Sequence, residues 1–78
     1  MSTSTLDAAA VDVDVDEKEL RVTLRDGRAI IVPISWFPRL KAADPDARAK
    51  WRLIGDGEGI HWVDLDEDLS VAALLRVS

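Results

Sequence analysis

From position 11 the chain alternates. VDVDVD puts Val11, Val13 and Val15 on one face of an extended strand and Asp12, Asp14 and Asp16 on the other. LRVTLR repeats the pattern, with Leu20, Val22 and Leu24 inward, and AIIVPI supplies Ile30, Val32 and Ile34. Between these runs, Asp26-Gly27 is a hairpin signal, because glycine supplies the positive φ that such turns need. A two-residue loop would pair Leu24 with Ala29 and turn Ile30, Val32 and Ile34 to solvent. A three-residue loop over Asp26-Gly27-Arg28 pairs Leu24 with Ile30, Val22 with Val32 and Leu20 with Ile34, keeping one aliphatic face. The pattern therefore predicts a three-stranded antiparallel meander with a bulged turn.

Helical signals follow. In SWFPRLKAA, Ser35 can cap a short helix with Pro38 in its first turn, where a missing N–H costs nothing. Asp44-Pro45 predicts a second start, with aspartate as N-cap and proline at the first helical position. RLI, GDGEG and IHWV read as a second hairpin. Ser70 then caps a C-terminal helix over Val71 to about Arg76, with Leu69 and Leu74 as a hydrophobic staple. The predicted class is α+β, in the order β-β-β-α-α-β-β-α, with helices on one face. Residues 1–10 form a small, polar tail, expected to be disordered, and 11–78 a single domain.

Seventy-eight residues support one core, and the 47% apolar content is that of an ordinary folded domain. The chain has no cysteine, which excludes disulfides, zinc–thiolate sites and thiol catalysis. The first residues lack the charge and apolar centre of a signal peptide, and no apolar run approaches a membrane span. A cytoplasmic protein is the expectation.

Net charge is −5, which argues against nonspecific nucleic-acid or membrane binding. Its distribution is uneven. Positions 39–52 carry Arg39, Lys41, Arg48, Lys50 and Arg52 against Asp44 and Asp46, a net of +3, so the rest of the chain carries −8. Two solvated helix surfaces account for this; so does a binding surface.

The densest candidate chemistry is GEGIHWVDLDEDLSV from position 57, which holds the sole histidine. Asp64, Asp66 and Asp68 alternate like the first ligands of a calcium loop, but Leu69 and Leu75 stand where glycine and glutamate are required. Zinc or iron would need more histidine or cysteine than His61 alone. Ser35 and Ser70 are assigned to caps and Thr23 to a strand, and no nucleophile elbow or phosphate-cradling loop occurs. We expect neither catalysis, nor a metal, nor a cofactor. The stretch reads instead as architecture: Ile60 and Trp62 inward, His61 outward, Leu65 and Leu69 as anchors. Asp66, Glu67 and Asp68 are then placed to favour the following helix N-terminus.

Trp36, Pro38-Arg39-Leu40, Arg48, Gly59-Ile60-His61-Trp62, Leu65-Asp66-Glu67-Asp68, Ser70-Val71 and Leu74-Leu75 together resemble the small bacterial proteins of domain of unknown function 2442. The likeness covers roughly positions 11–76 and is most specific in the HW..LDED.SV..LL stretch. Members often have proline after the tryptophan and glycine after the paired leucines, where this chain has Val63 and Arg76. The resemblance implies an antitoxin-like role, since some members are encoded beside a second small protein. Others carry an added helix-turn-helix domain; this chain stops at Ser78, so direct sequence-specific DNA binding is less expected of it.

These observations lead to a small protein-interaction module that binds a small, basic protein or a second copy of itself. Its candidate contacts are Trp36, Arg39, Trp51, His61, Asp64, Asp66, Glu67 and Asp68. Tryptophan suits a binding hot spot, yet with one phenylalanine and no tyrosine the three tryptophans are also the main large core fillers. Trp62 is expected in the core; for Trp36 and Trp51 both placements stand. The alternative function is an accessory nucleic-acid-binding or transcription-regulating protein that uses segment 39–52, its bases gripping phosphates and its tryptophans stacking on bases.

Overall fold

Alternating aliphatic residues build the first layer. The computed structural model, which describes residues 8–77, has strands β1 (Ala10–Val15), β2 (Glu19–Leu24) and β3 (Ala29–Pro33) in an antiparallel sheet of order β1-β2-β3. Leu20, Val22, Leu24, Ile30, Val32 and Ile34 are all buried, as the alternation predicts. β1 starts at Ala10, one residue before the expected boundary, and a bulge between Ala10 and Asp12 shifts its phase. Ala10 therefore takes the inward place, and Val11 is exposed rather than buried with Val13. The remainder of the expected tail, 1–7, lies outside the described residues.

The β2–β3 register differs from expectation by two residues: Leu20 pairs with Val32 and Val22 with Ile30. The loop is Arg25-Asp26-Gly27, closed by Leu24 N–H donating to the Arg28 carbonyl at 2.8 Å. A shift of two preserves which face is buried, so hydrophobic pattern alone does not choose between the registers. Gly27 chooses, because its φ of +96° suits the last position of a bulged three-residue loop. The Asp26 carboxylate accepts from the Arg28 N–H at 3.0 Å and secures the turn.

Ile34–Trp36 forms a 3-10 turn, and α1 (Pro38–Ala42) begins afresh at Pro38. Ser35 therefore caps no α-helix, contrary to expectation. Pro38 is the reason: it disfavours helical backbone at Phe37, which stands at φ −128°, ψ 86° and separates the two pieces. α2 (Pro45–Ala49) starts as predicted, with Asp44 accepting from the Ala47 N–H at 2.8 Å.

A second antiparallel sheet follows, made of β4 (Trp51–Ile54), β5 (Gly59–Trp62) and β6 (Glu67–Ser70) in that order. The expected hairpin is present, and the stretch expected as an acidic turn supplies its third strand. β6 runs directly into α3 (Val71–Val77), where the Ser70 hydroxyl accepts from the Ala73 N–H at 3.3 Å.

One apolar cluster joins both sheets to α1 and α3. It contains Leu20, Val22, Leu24, Leu40, Ile60, Trp62, Val71 and Leu74, with Leu65 and Leu69 packed against it. Burying apolar area from both sheets in a single core gives a short chain its stability.

The turn Gly55–Glu58 ties the parts together. Ala10 N–H donates to the Gly57 carbonyl at 2.8 Å, and Val71 N–H to the Glu58 carbonyl at 3.0 Å. An Arg25 guanidinium nitrogen reaches the Asp56 carbonyl at 3.3 Å. The first sheet, the second sheet and α3 thus meet at one glycine-rich turn.

Candidate functional site

The candidate contacts fall on elements already placed, and the tryptophans part company. Trp62 is fully buried, with its indole N–H donating to the Arg48 carbonyl at 3.1 Å. Trp51 opens edge strand β4 opposite Trp62 and is half-buried against the core. Trp36 lies on the 3-10 turn and is 48% exposed, which gives the surface a large apolar ring.

His61 and Asp68 are cross-strand partners between β5 and β6, with Nδ1 of the ring against the Asp68 carboxylate. Arg52 pairs with His61 from the other side. A basic, an imidazole and an acidic residue thus form one row across the outer face of the second sheet. Period-two geometry brings them together, since opposite residues of adjacent strands share a face. Glu67 lies opposite Trp62 instead. Asp66 sits just before the strand with φ of 51°, the left-handed conformation that aspartate tolerates better than most residues. The acids at 66–68 are therefore placed by a turn and a strand, not by the dipole of α3 as expected.

The basic segment meets the acidic one within the same chain. Arg39 on α1 donates to the Leu65 and Asp66 carbonyls at 3.5 and 3.2 Å, and stands 3.8 Å from the Glu67 carboxylate. Lys50 pairs with Asp64 at 3.1 Å, and that carboxylate holds the ammonium above its usual range. Arg48 donates to the Leu40 and Lys41 carbonyls at 3.0 and 2.9 Å, closing the C-terminal end of α1. This use of Arg48 was not legible in sequence, because it depends on α2 folding back on α1.

Chemically, the surface offers an exposed indole, ion pairs and an imidazole–carboxylate pair. Among the described residues no three histidine, cysteine, aspartate or glutamate side chains gather as metal ligands would. Among those residues no helix is long and apolar enough to cross a membrane.

The family model described as protein of unknown function (DUF2442) matches residues 10–78. Among curated proteins, none matches. A crystal structure of a protein of unknown function from Rhodospirillum rubrum ATCC 11170, at 2.75 Å resolution, is similar with a TM-score of 0.76 and 28% identity. The match covers 88% of this chain and 86% of that one.

Proposed function

Because this chain belongs to the DUF2442 family, whose function is unknown, we propose a role from its own surface: a small, non-enzymatic protein-interaction module. It acts in the cytoplasm, binding a small basic protein in an antitoxin-like manner. The observation that carries this reading is Trp36. The chain has only four aromatic side chains, three tryptophans and one phenylalanine, and leaves this one 48% exposed. An exposed indole costs solubility and contributes nothing to the core, whereas on a partner it buries a large area for little lost side-chain freedom. Three residues further along the chain, Arg39 lies across the acid-bearing 65–67 segment. The excess of carboxylates steers a cationic partner.

The nucleic-acid reading is weaker. Of the five bases in 39–52, Arg39, Arg48 and Lys50 are engaged by carbonyls or carboxylates of the same chain. The same pairs weaken a homodimer held by basic helices meeting acidic turns, because those charges already meet within one molecule.

The test is a pull-down with the tagged chain from its native host, beside Trp36→Ala, with masses measured in solution. The wild-type chain should retain one small basic protein in stoichiometric amount, and Trp36→Ala should lose it while keeping its circular dichroism spectrum. A wild-type chain that stays monomeric with nothing bound would overturn the reading.

A further inference from the structure

A groove of about 580 Å³ runs between β1 and α2, with residues 13–17 as one wall and Arg48 and Trp51 on the other. β1 is an edge strand. Its hydrogen-bonding phase follows from the Asp16 N–H donating to the Glu19 carbonyl at 3.0 Å. In an antiparallel ladder bonded and non-bonded pairs alternate, so Asp14–Arg21 is bonded, whereas Val15–Leu20 and Val13–Val22 are not. The backbone N–H and C=O groups of Val13 and Val15 therefore point away from β2, on the side that lines the groove. Further up β1, that outer edge is engaged at Ala10, through its bond to the Gly57 carbonyl. Below this junction β1 and the second sheet have no ladder between them.

A strand edge without a ladder partner beside a groove, here at half-buried Val15 with Val13 nearly covered above it, is the geometry of β-strand addition, in which main-chain bonds give affinity and alternate side chains give specificity. We propose that this groove takes an extended, lysine- or arginine-bearing segment of a partner protein as an added strand on β1. The inference rests on the interaction-module reading and deepens it by naming where and what the chain binds. Charge selects the occupant. Three carboxylates line the groove (Asp14, Asp16 and Glu17) against one guanidinium, Arg48, which already donates to two carbonyls. Asp12, Asp14 and Asp16 also repeat at every second position, the spacing of same-face side chains on a neighbouring strand. A second copy is the poorer occupant, because pairing β1 with itself sets like charges opposite one another. The β3 edge is poorer as well, since Pro33 removes an N–H.

The test uses a synthetic seven-residue peptide of alternating lysine and valine, titrated into the full chain and followed by backbone amide NMR. The Val13 and Val15 amide signals should shift and gain protection from hydrogen exchange. Asp14→Asn combined with Glu17→Gln should raise Kd about tenfold, and added salt should weaken binding. A peptide N-methylated at alternate residues should not bind. Absence of binding, shifts confined to other strands, or equal binding of the methylated peptide would each overturn the proposal. So would self-association of the Asp14→Asn, Glu17→Gln chain with no peptide bound by wild type, since the carboxylates would then only guard an edge. If that double variant still captures the native partner while Trp36→Ala does not, the interaction reading stands and this groove does not carry it.

Discussion

Asp16 shows how one side chain earns its place in a strand that is otherwise a simple alternation. Its carboxylate accepts from the Glu19 and Lys18 N–H groups, each at 2.7 Å, and terminates β1 in a tight turn. Those two bonds, the one from Glu19 first, hold its pKa below the ordinary 3.8. The charged form is thus favoured in the folded state. Its contribution is complete above the ordinary value and disappears as pH falls through the lower folded one. The stability difference between wild type and Asp16→Asn, from urea unfolding, should be widest near neutrality and close in strong acid; a constant difference would contradict this. At the same scale, sequence identified Trp62 as core from its alternation with His61 but left Trp36 and Trp51 open. Period two says which face a residue takes, not whether that face is covered. Trp51 is partly buried because it borders the core at an edge, whereas Trp36, on the 3-10 turn, stays 48% exposed.

Among the elements, starts were more legible than extents. Asp44-Pro45 and Ser70 marked helix beginnings correctly because capping is local chemistry, written in one or two residues. Asp44→Ala should cost about 1 kcal/mol by thermal or urea unfolding, the usual loss of an N-cap. Ser35 misled for an equally local reason, the constraint that Pro38 places on Phe37. β6 was missed because Glu67-Asp68-Leu69-Ser70 has low strand propensity. It forms nonetheless: β5 offers it a partner edge, and Leu69 lands opposite Ile60 against the core. The hairpin register was wrong by two residues while every buried position was right. Hydrophobic pattern constrains register modulo two, and turn geometry does the rest.

For the whole molecule, Gly57 is the decisive position. With φ of +89°, an added Cβ there would overlap the Ala10 carbonyl oxygen and stand 2.7 Å from the Ala10 nitrogen. Both atoms are backbone, so neither can swing aside. Gly57→Ala should destabilise the chain by about 2 kcal/mol or more, by strain and by parting the two sheets. The check is a lower urea midpoint, with greater loss of exchange protection at Ala10 than at the centre of β5; an unchanged midpoint would refute the joint. The three glycines of GDGEG looked like an ordinary turn in sequence, since nothing local says that another strand lies against Gly57. Sequence by itself determined the buried faces of β2 and β3, two helix starts, the α+β order, the family likeness and the burial of Trp62, all consequences of period, motif and local caps. Tertiary structure alone decided that the basic and acidic segments meet as ion pairs in the same chain, that Trp36 stays outside, and that the edge of β1 runs without a ladder partner beside a groove. Those depend on distances between residues far apart in the chain, and such distances exist only once the two sheets have closed on one core.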